Sequence, residues 1–260
     1  MKKTISGLLA VAAMTATMHR AGCDKKPADM PAGDTLFAGT YRMEAKPLYS
    51  DMQAKDPEAT ALTADGMDIT FAQVIAAAYA MTSTTDMGGT SEITFGPDGS
   101  IVIVFDDPEE GTVPILPDEA EGVAADAITY ALSGDRAVFT LSSETIDNLL
   151  DAEEDPQTAA ATKEILTKFT QGIFTYSAAD NTAKITFKYR LADKELALYL
   201  DKGMIVETWR TNKDAMNAIA AFLGEGNPEV AALLTQLAPQ MDAMLEGFDK
   251  IEAGARMTRK

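Results

Sequence analysis

The 260-residue sequence predicts an α+β fold: an antiparallel β meander, closed as a barrel or left as an open curved sheet, with inserted helices and C-terminal helices. Three observations predict it. Apolar residues alternate with polar ones in short runs between 93 and 200, the period of a strand with one buried face. Gly, Asp, Asn and Ser clusters join these runs as tight turns. Between and beyond them, apolar residues recur at spacings of three and four, which marks amphipathic helices. At 46% apolar and 24% charged, the chain has the composition of a globular protein large enough for a substantial core.

Residues 1–22 read as a secretion leader. Lys2 and Lys3 give it a positive start, and Ile5 to Met18 is apolar yet too short for a bilayer that takes about 20 residues to cross. Ala21-Gly22-Cys23 then resembles the bacterial lipobox, whose cysteine receives a diacylglyceryl group on sulfur and becomes the mature N-terminus. Arg20 stands where an aliphatic residue is usual. The resemblance makes Cys23 the lipid-attachment residue. Residues 23–34 are polar, carry Pro27, Pro31 and Gly33, and read as a flexible tether.

An antiparallel β domain with helical insertions is expected over 35–210. Leu36 to Met43 is its first strand, and a polar connection through Asp65-Gly66 follows. Phe71 to Met81 sets Phe71, Val74, Ile75, Ala78 and Tyr79 at helical spacing. Ile93 and Phe95 lead through Gly96-Pro97-Asp98-Gly99-Ser100 to Ile101, Ile103 and Phe105, a hairpin. After an acidic, proline-containing loop, Ile128, Tyr130 and Leu132 turn through Ser133 to Arg136 and return as Ala137, Phe139 and Leu141. Phe174 and Tyr176, then Ile185 to Leu191, then Leu196, Leu198 and Leu200 complete a meander of roughly seven to nine strands. Ser142 or Ser143 caps a helix over 144–150, and Asp155-Pro156 opens another to about Thr170. Trp209 reads as a strand-borne core aromatic. Residues 211–251 read as C-terminal helices packing on the β domain: Met216 to Leu223 mark one, and Val230 to Phe248 another that Pro239 kinks or divides. Residues 252–260 read as a frayed tail.

The rare residues narrow the chemistry. His19, Cys23 and Trp209 are each the sole residue of their type. Cleavage before Cys23 discards His19, so the exported part has no imidazole for a catalytic triad or a metal. One cysteine forms no intrachain disulfide. Serine-lysine, nucleophile-elbow and glycine-rich phosphate motifs do not occur, so no catalytic residue, metal or cofactor is expected. The net charge of −18 becomes more negative when Lys2, Lys3 and Arg20 leave with the leader. Such a surface repels phosphate backbones and anionic headgroups, which disfavours nucleic acid as a partner and leaves membrane attachment to the lipid. The acidic runs Asp106 to Glu110, Asp118 to Glu121 and Asp151 to Asp155 lack the order of a calcium loop and read as solvated connections.

Phe37 followed by Gly39-Thr40-Tyr41, with the hairpins at Phe95 to Ile101 and Tyr130 to Leu141, resembles the lipocalin-like domains of secreted bacterial lipoproteins, whose first strand carries a G-x-W or G-x-Y element. The resemblance spans about Phe37 to Leu200 and implies a cavity for a small apolar or amphipathic ligand. The expectation is therefore a noncatalytic protein of the bacterial cell envelope, lipid-anchored, with a small apolar ligand or an envelope protein as its partner. Two other readings compete with ligand binding. One is an assembly role through the Val230 to Phe248 stripe; the other is a carboxylate-based glycan hydrolase, which needs two acids in an aromatic-lined cleft.

Overall fold

The computed structural model describes residues 37–109, 111–117, 123–151, 156–226, 232 and 235–260. Cys23, the leader and the tether lie outside them. The class is the expected one, α+β with an open, curved antiparallel sheet; among the described residues there are thirteen strands and six α-helices.

The sheet is organised around the C-terminal strand, β13 (Phe248–Arg259). One edge of β13 pairs with β12 (Glu195–Asp201). Its other edge pairs first with β2 (Leu48–Ala54) and then, at Thr258 and Arg259, with β1 (Gly39–Met43). Beyond β1 lie β5 (Thr90–Phe95), β6 (Ile101–Asp107) and β7 (Gly111–Leu116). Beyond β12 lie β11 (Thr182–Ala192), β9 (Arg136–Leu141) and β8 (Ile128–Ser133), while β10 (Phe174–Ser177) pairs with the start of β11. A separate hairpin, β3 (Thr60–Ala64) and β4 (Met67–Thr70), leads into helix α1 (Phe71–Thr84). Thr70 and Gln73 close a capping box there, each side chain accepting from the other's backbone N–H.

Alternation fixes which face of each strand is buried. Tyr41, Ile93, Phe95, Ile101, Tyr130, Phe139, Phe187, Leu198 and Met257 form one core on the concave face. The sheet curls until β8 meets the turn between β5 and β6: Phe95 and Tyr130 lie edge to face at 5.2 Å, and the Tyr130 N–H and O–H donate to Gly99 O and Gly96 O. Phe37 plugs this junction against Phe95, Tyr130 and Tyr189, with ring centroids 4.9 to 5.2 Å apart. Among the described residues no ladder joins β7 to β8, so the sheet does not close into a barrel.

Helices α2 (Ser143–Asp151) and α3 (Pro156–Leu166) contribute Ile146, Leu150 and Leu166 to the same core. A second core forms where β13 begins. Phe71, Ala61, Leu245, Phe248 and Ile251 centre it, and α4 (Lys202–Thr211) and α6 (Met241–Glu246) pack against it. Helix α5 (Lys213–Gly226) connects them towards the turn of 3₁₀-helix at Ala238–Gln240, which contains Pro239, the residue expected to divide the last stripe.

Four expectations are corrected. Residues 252–260 do not fray; all but the last belong to β13, whose 251, 253, 255 and 257 side chains share the concave face. Trp209 stands on α4, not on a strand, because Asp201 caps a helix by accepting from the Met204 N–H and starts it at residue 202. The helices assigned to 211–251 thus begin earlier, and Phe248 to Ile251 are strand. The connection between β1 and α1 and the acidic loop after β6 contain β2, β3, β4 and β7, which raises the strand count above nine. These short edge elements carry Asp, Gln, Thr and Pro, residues that leave little alternation to read.

Candidate functional site

Residues 44–47 separate β1 from β2 along their shared edge of β13, and the concave core is incomplete at that interruption. A groove of about 190 Å³ opens there. Ala253, Gly254 and Ala255 of β13 line it together with Leu198 and Leu200 of β12, which the register places opposite Ala255 and Ala253. Met43, Pro47 and Leu48 contribute from the β1–β2 side, and Thr82 and Met87 from the end of α1 and the loop beyond it. The loop is tied down by a hydrogen bond from the Met87 N–H to Ala45 O, 2.8 Å.

The lining carries no charged residue. Its polar side chains are already paired. Thr82 donates to the carbonyl of Ala78 at 3.0 Å and lies 3.3 Å from the Ser50 hydroxyl; Tyr49, paired with Gly254, turns its hydroxyl away to the other face of the sheet, where it donates to Glu252 at 2.8 Å. The surface offered to a ligand is therefore hydrocarbon and thioether, with no free group to bind a polar atom inside.

The opposite face of the same strands is ionic. Glu252 is 7% exposed and accepts from Arg190 at 2.9 Å as well as from Tyr49, while Lys250 pairs with Asp51. Arg256 stacks 4.2 Å above the Tyr49 ring. Burial alone would raise the Glu252 carboxyl, but hydrogen bonds from Arg190 and Tyr49 outweigh it and hold the group below the usual carboxylate range. Burial, and then the bond to Glu252, push the Tyr49 hydroxyl up. A folded-state pKa below the unfolded one means that stability is present above the unfolded value and is lost as pH falls through the folded one. Glu252→Gln should lower stability at pH 7 by about 2 kcal/mol, since Arg190 keeps partial access to water, and should flatten the acid limb of a urea-midpoint against pH curve. An unchanged acid limb would show that Glu252 does not govern it.

Cys23, the one site residue expected from sequence, lies outside the described residues. Trp209 forms no exposed stacking platform; it packs against the second core. Within the described part of the last helical stripe, Met241, Met244 and Leu245 face the same core. Among the described residues no cluster of three His, Cys, Asp or Glu could hold a metal ion, and no helix is long and apolar enough to cross a membrane. The resemblance implies a cavity, but no motif in the sequence assigns its lining. Its signal was the alternation Ile251, Ala253, Ala255, Met257 around Gly254, whose small side chains leave space unfilled. Compared with known proteins, the chain matches no family model, no curated protein and no solved structure.

Proposed function

We propose that this is an exported, lipid-anchored protein of the cell envelope that binds the apolar part of a small ligand in the groove over β12 and β13, without catalysing a reaction. One observation carries the binding reading: an open, apolar groove with no charged lining residue, in which the Thr82 hydroxyl is already hydrogen-bonded. Such a surface gains by excluding water and has no means of orienting a reacting group. The leader and Cys23 support the export and anchoring.

Titration with 1-hexanol tests the binding, observed through the methyl resonances of Met43, Leu48, Met87, Leu198 and Leu200. Saturable shifts confined to these methyls are expected. Shifts confined to Met52, Met241 and Met244 of the second core would move the site away from the groove and sink the reading. The intact mass of the exported product tests the anchor: a chain starting at Cys23 with a diacylglyceryl addition supports it, and an unmodified thiol overturns it.

A further inference from the structure

We infer that the groove accepts the end of one unbranched alkyl chain, about seven or eight carbons long, carried by an amphiphile whose head is neutral or cationic rather than anionic. This rests on the groove being the ligand site.

Size sets the chain. An apolar cavity of about 150 Å³ holds benzene, so a groove of this volume holds slightly more carbon, and neither two tails nor a fused polycycle. The lining fits a chain without fixing a shape, because Met43 and Met87 are unbranched and adaptable thioethers. An uncharged lining whose Thr82 hydroxyl is already hydrogen-bonded keeps the head outside.

Charge sets the head. Exposed charges beside the lining are paired: Lys46 next to Pro47 with Asp86 next to Met87 at 3.9 Å, and Arg42 with Glu44, which flank Met43, at 3.2 Å, so each pair neutralises itself. Helix α1 ends here at Thr84, and its last turn carries no basic residue. The carbonyl end of the helix therefore turns negative potential towards the rim, on a chain of net charge −18. A carboxylate or sulfate head meets repulsion that an ammonium or a sugar does not.

Calorimetry tests this on the full-length chain with Cys23→Ser, using alkyl trimethylammonium, alkyl glucoside and alkyl sulfate series from four to twelve carbons, each below its micelle concentration. Affinity should rise about fourfold per methylene and level off near seven or eight carbons. At low salt the sulfates should bind at least about tenfold more weakly than the ammonium series, and the gap should narrow as salt screens it. Ala253→Leu should shift the plateau to shorter chains and Met87→Ala to longer ones, so that misfolding of either variant leaves the other to decide.

A rise that continues through twelve carbons, or a plateau that neither variant moves, overturns the chain assignment while leaving apolar binding in place. Tightest binding by the sulfates overturns the head assignment. Absence of binding by all three series overturns the ligand site itself, and this inference with it.

Discussion

A chain ending at Ile251 should not fold. Removing residues 252–260 strips β13 of nearly all its pairing with β12, its contact with β1 and about half its pairing with β2. It also removes Ala255 and Met257, which are 8% and 2% exposed, and leaves Leu196 and Leu198, fully buried, with β11 on one side and no strand on the other. Three sections of the sheet whose ladders are joined only through β13 would come apart. Unpaired backbone groups in a dry core cost about 1–3 kcal/mol each, and several such groups exceed the 5–15 kcal/mol that holds a domain together. Far-ultraviolet circular dichroism in urea should show no cooperative transition for the truncated chain. A sigmoidal unfolding curve resembling that of the full chain would refute the central placement of β13. The same reasoning bears on the assembly reading. Deleting residues 227–260 would destroy the domain along with the helical stripe, so losing a partner by that deletion would not identify a docking surface.

Gly254→Val should be the most damaging single substitution. A Cβ at residue 254 would sit 2.1 Å from Leu198 O and 2.7 Å from Tyr199 Cα. These are backbone atoms of the paired strand, so no rotamer change relieves the clash and β12 must move away from β13. That movement would open the lining of the groove and disturb the row Tyr199, Gly254, Tyr49 on the ionic face. We expect a loss of about 4 kcal/mol or more, read as the urea midpoint at constant slope, and most of the protein recovered in the insoluble fraction. A soluble variant within about 1 kcal/mol of the parent would mean that the two strands are less closely apposed than described.

The hairpins were legible because their information is local. At Phe95 to Ile101 the turn is specified by Asp98, which accepts from the Ser100 N–H and O–H, and by Gly99 at a positive φ of 87°. At Ser177 to Thr182 the left-handed conformation falls to Asn181, whose side chain also accepts from the Tyr176 hydroxyl. Nothing distant is needed to position either turn. β13 is the reverse case. Glu252, Ala253, Ala255, Arg256 and Met257 are better helix formers than strand formers, and they become a strand because β12, β1 and β2 offer them backbone partners.

The candidate site divides in the same way. Leu198, Leu200 and Phe187 were readable as inward-facing residues of alternating strands. That they border a groove depends on Ala253 and Ala255 being small, on residues 44–47 breaking the edge between β1 and β2, and on the end of α1 arriving over the gap. No spacing in the chain records that meeting.

By itself the sequence determined the α+β class, the three hairpins, the helix at Phe71, the excess of negative charge and the single histidine and cysteine, because each follows from composition or from neighbours a few residues apart. Only the tertiary structure decided that the last strand lies at the centre, that the sheet curls without closing, and that a groove remains over β13. Those features arise from pairing between segments up to about two hundred residues apart, such as Tyr49 with Gly254, where backbone hydrogen bonding and burial outweigh local preference.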